Sequence, residues 1–145
     1  MGAVSVTAGV VTSETSTNSE RSGYRPVRVL VVDDDHDVRL VLCRMLESGG
    51  YETAEARHGR EALETALGCP FDVLITDLIM PEQEGIETIQ QFHQIYPHMK
   101  IIAISGAYGS DYLRIAKHLG AHEVMQKPLR LEVVLNTVSR LTRGS

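Results

Sequence analysis

Five short strands alternating with five amphipathic helices around a parallel sheet form the fold class that this sequence predicts, an α/β (βα)5 domain. Short runs rich in β-branched residues recur at Arg28–Val32, Tyr51–Ala56, Asp72–Thr76, Lys100–Ser105 and Glu123–Gln126. The segments between them carry apolar residues at helical spacing. The runs are also apolar nearly throughout, as strands are when a parallel sheet is covered on both faces.

Taken in order, residues 1–26 are rich in Ser, Thr, Gly and Glu, as in Thr12-Ser13-Glu14-Thr15-Ser16. Such a stretch buries too little apolar surface to offset its ordering entropy, which predicts a flexible N-terminal tail before a domain spanning residues 27–142. After the first strand, Val38, Val41, Leu42, Met45 and Leu46 fall on one helical face. Ala62, Leu63, Ala66 and Leu67 predict a shorter helix, and Ile86, Ile89, Phe92 and Tyr96 a looser one. Asp111–Leu119 has a thin stripe of Leu113, Ala116 and Leu119. Leu131, Val134, Leu135 and Val138 predict the last helix.

The composition narrows the function classes. At 145 residues, 43% hydrophobic and 23% charged, the chain matches one ordinary globular domain. Its formal charge of -5, from 19 acidic and 14 basic residues, argues against a surface built mainly for direct nucleic-acid binding. No apolar run approaches the ~20 residues of a membrane span. Cys43 and Cys69 lack a CxxC spacing and read as reduced structural thiols of a cytoplasmic protein. The histidines at 36, 58, 93, 98, 118 and 122 lack the spacing of a zinc site. Tyr108 and Tyr112 suit either a partner surface or ordinary amphipathic packing.

Right-handed crossovers bring the C-terminal ends of all five strands to one edge of the sheet. Those ends read Val32-Asp33-Asp34-Asp35, Thr76-Asp77, Ile104-Ser105-Gly106 and Gln126-Lys127-Pro128. Clustered carboxylates repel unless a cation sits among them, and a hard divalent ion with oxygen ligands, Mg²⁺ above all, suits such a set. A carboxylate is also a competent nucleophile toward phosphorus, and the transferring group needs positive charge placed in advance. Lys127 can supply a cation and Ser105 a hydrogen bond. Each residue alone has a plainer reading: Asp35 as a helix cap, Asp77 as a loop aspartate, Lys127 as a solvated charge and Ser105 as part of a turn. The loop Asp33-Asp34-Asp35-His36-Asp37 would repel a phosphate cradled there, and no GxGxxG or Walker lysine motif is present.

Val29-Leu30-Val31-Val32-Asp33-Asp34-Asp35, the run from Asp72 to Pro81 with Gly85, and Lys127-Pro128 together resemble the receiver domain of two-component response regulators, in order and spacing, over residues 27–142. The resemblance implies a doubly wound five-stranded sheet of order 2-1-3-4-5. It implies Asp77 as the phosphoacceptor, taking its phosphoryl group from a phosphohistidine on a sensor kinase or histidine phosphotransfer protein. It further implies Mg²⁺ held by Asp34 directly, by Asp33 through water, by Asp77 and by the Ile79 carbonyl. Lys127 would pair with the phosphoryl oxygens, and Ser105 would be the switch hydroxyl. Lys127-Pro128 is often cis in this family. Ile79 and Ala107 occupy the variable positions that influence hydrolysis of the acyl phosphate.

The chain departs from many members at Val124, where a switch Tyr or Phe is common. The expectation is retained phosphorylation with a readout that relies more on the loop Gly106–Gly109. A receiver of this kind is a signalling domain rather than an enzyme, acting on an unknown downstream protein. The fourth helix, fifth strand and fifth helix form the face to examine for dimerisation, and a stand-alone regulator is the leading expectation. Two other readings remain. An aspartate-nucleophile phosphatase would want an acid/base carboxylate two residues after Asp77, where Ile79 stands. A receiver-like module that is never phosphorylated would be expected to lack one of the acidic, hydroxyl or lysine positions.

Overall fold

The computed structural model describes residues 25–78, 84–106 and 110–143. Its elements are β1 (Arg28–Val32), α1 (His36–Ser48), β2 (Glu52–Ala56), α2 (Gly59–Gly68), β3 (Val73–Asp77), α3 (Glu84–Ile95), β4 (Lys100–Ser105), α4 (Ser110–Leu119), β5 (Glu123–Gln126) and α5 (Leu131–Thr142). All paired strands are parallel, in the order β2-β1-β3-β4-β5. The strand alternation of the sequence therefore appears as expected, with β2 and β3 each starting one residue later and β3 running on to Asp77.

The period-two geometry of a strand divides its side chains between two cores. Leu30, Val32, Leu74, Ile101 and Ala103 face α2, α3 and α4, where Ala62, Ile89, Phe92 and Ala116 close the layer. Val29, Val31, Val73, Ile75, Ile102 and Ile104 face α1 and α5, against Leu42, Leu46, Val134 and Val138. Two buried faces explain why the strands read as nearly unbroken apolar runs.

Local chemistry starts and stops the helices. Asp35 caps α1, its carboxylate accepting from the Asp37 N–H at 2.9 Å. His58 caps α2 by accepting from the Glu61 N–H, while the Glu61 carboxylate reaches back to the Arg57 N–H. After α1 the Gly49 N–H meets the Leu46 carbonyl, and Gly50 takes a φ of 92°, which a side chain would strain.

Three helical faces differ from expectation. On α2, Ala62 and Ala66 are buried but Leu67 is 81% exposed. The inward stripe of α1 is Arg39, Leu42, Cys43 and Leu46, while Val41 points outward at 48% exposure. On α5 the buried residues are Val134, Thr137 and Val138, and Leu131 is exposed. Sequence reasoning weighted apolarity alone, so it passed over an arginine and a threonine lying at the correct angle. Thr137 joins the core because its hydroxyl donates to the Val133 carbonyl at 2.7 Å. Arg25, placed by composition in the tail, forms a two-pronged pair with Asp72 at 2.9 and 3.3 Å. Residues 1–24 of that tail lie outside the described residues. Among the described residues, no helix is long and apolar enough to cross a membrane.

Candidate functional site

The C-terminal edge of the sheet assembles the site from the ends of four strands, β1, β3, β4 and β5. Asp33 follows β1, and the ladder extends one step to hold it, its N–H donating to the Ala56 carbonyl at 3.2 Å. Asp77 is the last residue of β3 and pairs in register with Ile104. The next N–H, of Leu78, donates to the Ile104 carbonyl at 2.8 Å. On the far side the Lys127 N–H donates to the Ser105 carbonyl at 2.9 Å, which carries the β4–β5 ladder one step past β5. Backbone hydrogen bonds thus position Asp33, Asp77 and Lys127 at this edge.

Asp33 and Asp77 are 1% and 5% exposed, Ser105 is buried and Asp34 is exposed. Lys127 Nζ donates to Asp77 Oδ2 at 3.0 Å and lies 3.4 Å from Asp33 Oδ2. One Asp33 oxygen, Oδ1, accepts from the Asp35 N–H at 2.8 Å, whereas the other, Oδ2, is buried with no hydrogen-bond partner. Burial, seconded by the charge of Asp77, raises the Asp33 carboxyl above its ordinary value against the opposing pull of the Asp35 N–H and Lys127. For Lys127, burial pulls the ammonium down, but the hydrogen bond and charge of Asp77, with the charge of Asp33, outweigh it and raise its pKa.

Carboxylate oxygens of Asp33, Asp34 and Asp77 lie within 4.8 Å of one another. Hard oxygen donors, an excess of negative charge and an unsatisfied buried oxygen make a donor set that fits Mg²⁺. Among the described residues, this is the cluster of acidic, His or Cys side chains able to hold a metal. Ile79, expected to offer its carbonyl, lies outside the described residues, as do Ala107, Tyr108 and the rest of the Gly106–Gly109 loop beyond Gly106. The side chain of Tyr112 is likewise not described.

Two glycines leave room for this arrangement. A Cβ on Gly85 would overlap the carbonyl oxygens of Asp77 and Leu78, so α3 packs directly on the backbone behind the site. A Cβ on Gly106 would stand 3.2 Å from Lys127 Cδ and crowd the lysine stem. The Lys127-Pro128 peptide is cis. Val124 pairs in register with Ala103 and packs, partly buried, against the core beneath α2, α3 and α4.

Sequence reasoning missed Arg39. It is 8% exposed, and its Nη1 donates to the main-chain carbonyl of Asp33 at 2.8 Å while Nε donates to Glu55 Oε1 at 2.8 Å. The available signal was its spacing of three, four and seven residues from Leu42, Cys43 and Leu46. Two histidines have structural roles: His58 caps α2, and His122 Nδ1 accepts from the Ile101 N–H at 3.0 Å.

Known proteins share this framework. Residues 29–139 match the family model described as the response regulator receiver domain. The response regulator receiver protein CpdR of Brucella abortus is 34% identical over 120 residues, covering 79% of this chain and 95% of CpdR. The response regulator MprA of Mycolicibacterium vanbaalenii is 33% identical over 118 residues, where the match takes in 81% of this chain but only 51% of MprA. The crystallised chemotaxis protein CheY4 of Vibrio cholerae superposes with a TM-score of 0.76 at 31% identity, covering 81% of this chain and 99% of CheY4. With the fold, the acidic rim and the matched span in agreement, the chain belongs to the response regulator receiver domains of two-component systems.

Proposed function

We propose that Asp77 accepts a phosphoryl group from the phosphohistidine of a sensor kinase or histidine phosphotransfer protein, and that the aspartyl phosphate switches a protein-interaction surface. The observation that carries this reading is the convergence of Asp33, Asp77 and Lys127 at the strand ends, with Lys127 Nζ 3.0 Å from the Asp77 carboxylate. An Asp77 oxygen forms a bond to phosphorus as the P–N bond breaks. The electron pair returns to the departing imidazole, and the product is an acyl phosphate. Lys127 holds the nucleophile and is placed to meet the phosphoryl oxygens. Ser105, whose backbone lies beside that lysine, offers its hydroxyl to the same group. Asp33, Asp34, Asp77 and the Ile79 carbonyl would hold Mg²⁺, which supplies positive charge to the acidic cluster and the incoming phosphoryl oxygens.

In this reading the domain is residues 27–142. It is a cytoplasmic phosphoacceptor that catalyses only its own phosphorylation and dephosphorylation. Its downstream partner is a protein, and with Val124 in place of an aromatic switch the readout relies more on the Gly106–Gly109 loop.

The test is intact mass after incubation with Mg²⁺ and acetyl phosphate. The expected result is one added phosphoryl group, absent in Asp77→Asn and absent when Mg²⁺ is chelated. An unmodified mass would refute the reading, and turnover of simple phosphomonoesters would favour a hydrolase instead.

A further inference from the structure

We propose that Arg39 is a positioning residue for the metal side of the site, a role that rests on the Mg²⁺-binding reading above. Its guanidinium is a buried fork between two elements. Nη1 holds the Asp33 carbonyl at 2.8 Å and Nε holds Glu55 Oε1 of β2 at 2.8 Å. Nη2 faces His36 Nδ1 at 3.3 Å. The charge of Arg39 is met by Glu55, so the fork serves the backbone rather than the carboxylate cluster.

The consequence reaches Asp34 through the peptide plane. The Asp33 carbonyl and the Asp34 N–H belong to one rigid planar unit, so fixing that oxygen fixes the direction in which the Asp34 Cα leaves it. Asp33 is held independently, by its own N–H to Ala56 and by Oδ1 to the Asp35 N–H. The exposed Asp34 carboxylate belongs to the same three-residue oxygen cluster but rises from this loop without burial to hold it. Its aim depends on the backbone that Arg39 clamps. Groups supporting metal ligands in this way typically change affinity ~10–100-fold when removed.

The experiment is an amide NMR titration of the whole chain with MgCl2, which reports folding and affinity together. Arg39→Gln is expected to weaken Mg²⁺ binding about tenfold while keeping a dispersed, folded spectrum. Arg39→Lys, which keeps one donor and loses the fork, is expected to lie between Gln and Arg. Leu42→Ala loosens the same helix without touching the Asp33 carbonyl, and its Mg²⁺ affinity is expected to equal that of the unsubstituted protein. Unchanged affinity in the Arg39 variants, or an equal loss in Leu42→Ala, overturns the positioning role. If Arg39→Gln does not fold, Arg39→Lys decides by the same comparison. Failure of the unsubstituted protein to bind Mg²⁺ overturns the site reading itself, and the positioning role with it.

Discussion

Asp33→Asn is expected to stabilise the metal-free protein while removing most of its response to Mg²⁺. The Asp33 and Asp77 carboxylate oxygens lie no more than 4.8 Å apart, which at an effective dielectric of about 20 corresponds to a repulsion of at least about 3.5 kcal/mol. The attraction to Lys127 Nζ at 3.4 Å is about 5 kcal/mol on the same basis, of the same order as that repulsion. Burial decides the balance: Asp33 Oδ2 meets Lys127 only as a charge contact and accepts no hydrogen bond, and desolvation is the largest influence on the Asp33 carboxyl. A polar atom buried without a hydrogen bond costs at most about 1–3 kcal/mol.

Asparagine keeps an Oδ1 acceptor for the Asp35 N–H and removes the charge, giving an expected gain of about 1–2 kcal/mol, or a rise of about 5 °C in Tm. The sign follows from linkage. Because burial raises the folded pKa of Asp33, its penalty is absent below the unfolded value near 3.8 and develops as pH rises through the folded pKa. The gain should therefore grow as pH rises above the unfolded value and vanish in acid. Thermal melts of both proteins at neutral and acid pH, with and without saturating Mg²⁺, make the comparison. A lower metal-free Tm for Asp33→Asn at pH 7 would show that the acidic cluster is not strained and would refute the argument.

Three further outcomes are expected. Gly85→Ala should cost about 1–3 kcal/mol in urea unfolding, because the new methyl group meets the carbonyls of Asp77 and Leu78 rather than a flexible side chain. On α1, Val41→Lys should change stability by less than about 0.5 kcal/mol, while its neighbour Leu42→Ala should cost about 2–5 kcal/mol, since only the second faces the core. Burial, with the nearby charge of Lys100, lowers the His122 pKa, so its contribution to stability is complete above the unfolded value near 6.5 and declines as pH falls toward the folded pKa. His122→Asn, which retains an acceptor for the Ile101 N–H, should flatten the pH dependence of the urea midpoint in that range.

The five-strand alternation was legible because a doubly covered parallel sheet needs apolar residues on both faces of every strand, as Val29–Val32 and Leu74–Ile75 display. The helical faces were read less well. Periodicity locates a stripe, but counting only apolar residues turned α1 toward Val41 and hid Arg39, whose burial depends on Glu55 of a neighbouring strand.

By itself, the sequence determined the fold class, the acidic and basic residue types at the strand ends, and the likeness that made Asp77 the leading residue. Those properties follow from local periodicity and from the handedness of strand crossovers. Only the tertiary structure decided which of the aspartates are buried, that Lys127 leans on Asp77 more closely than on Asp33, that one Asp33 oxygen lacks a hydrogen bond, and that Arg39 grips the loop bearing Asp34. The lysine contacts depend on residues far apart in the chain, and the Arg39 grip on how a loop folds back over its helix; in both a shift of about 1 Å separates a hydrogen bond from a simple charge contact.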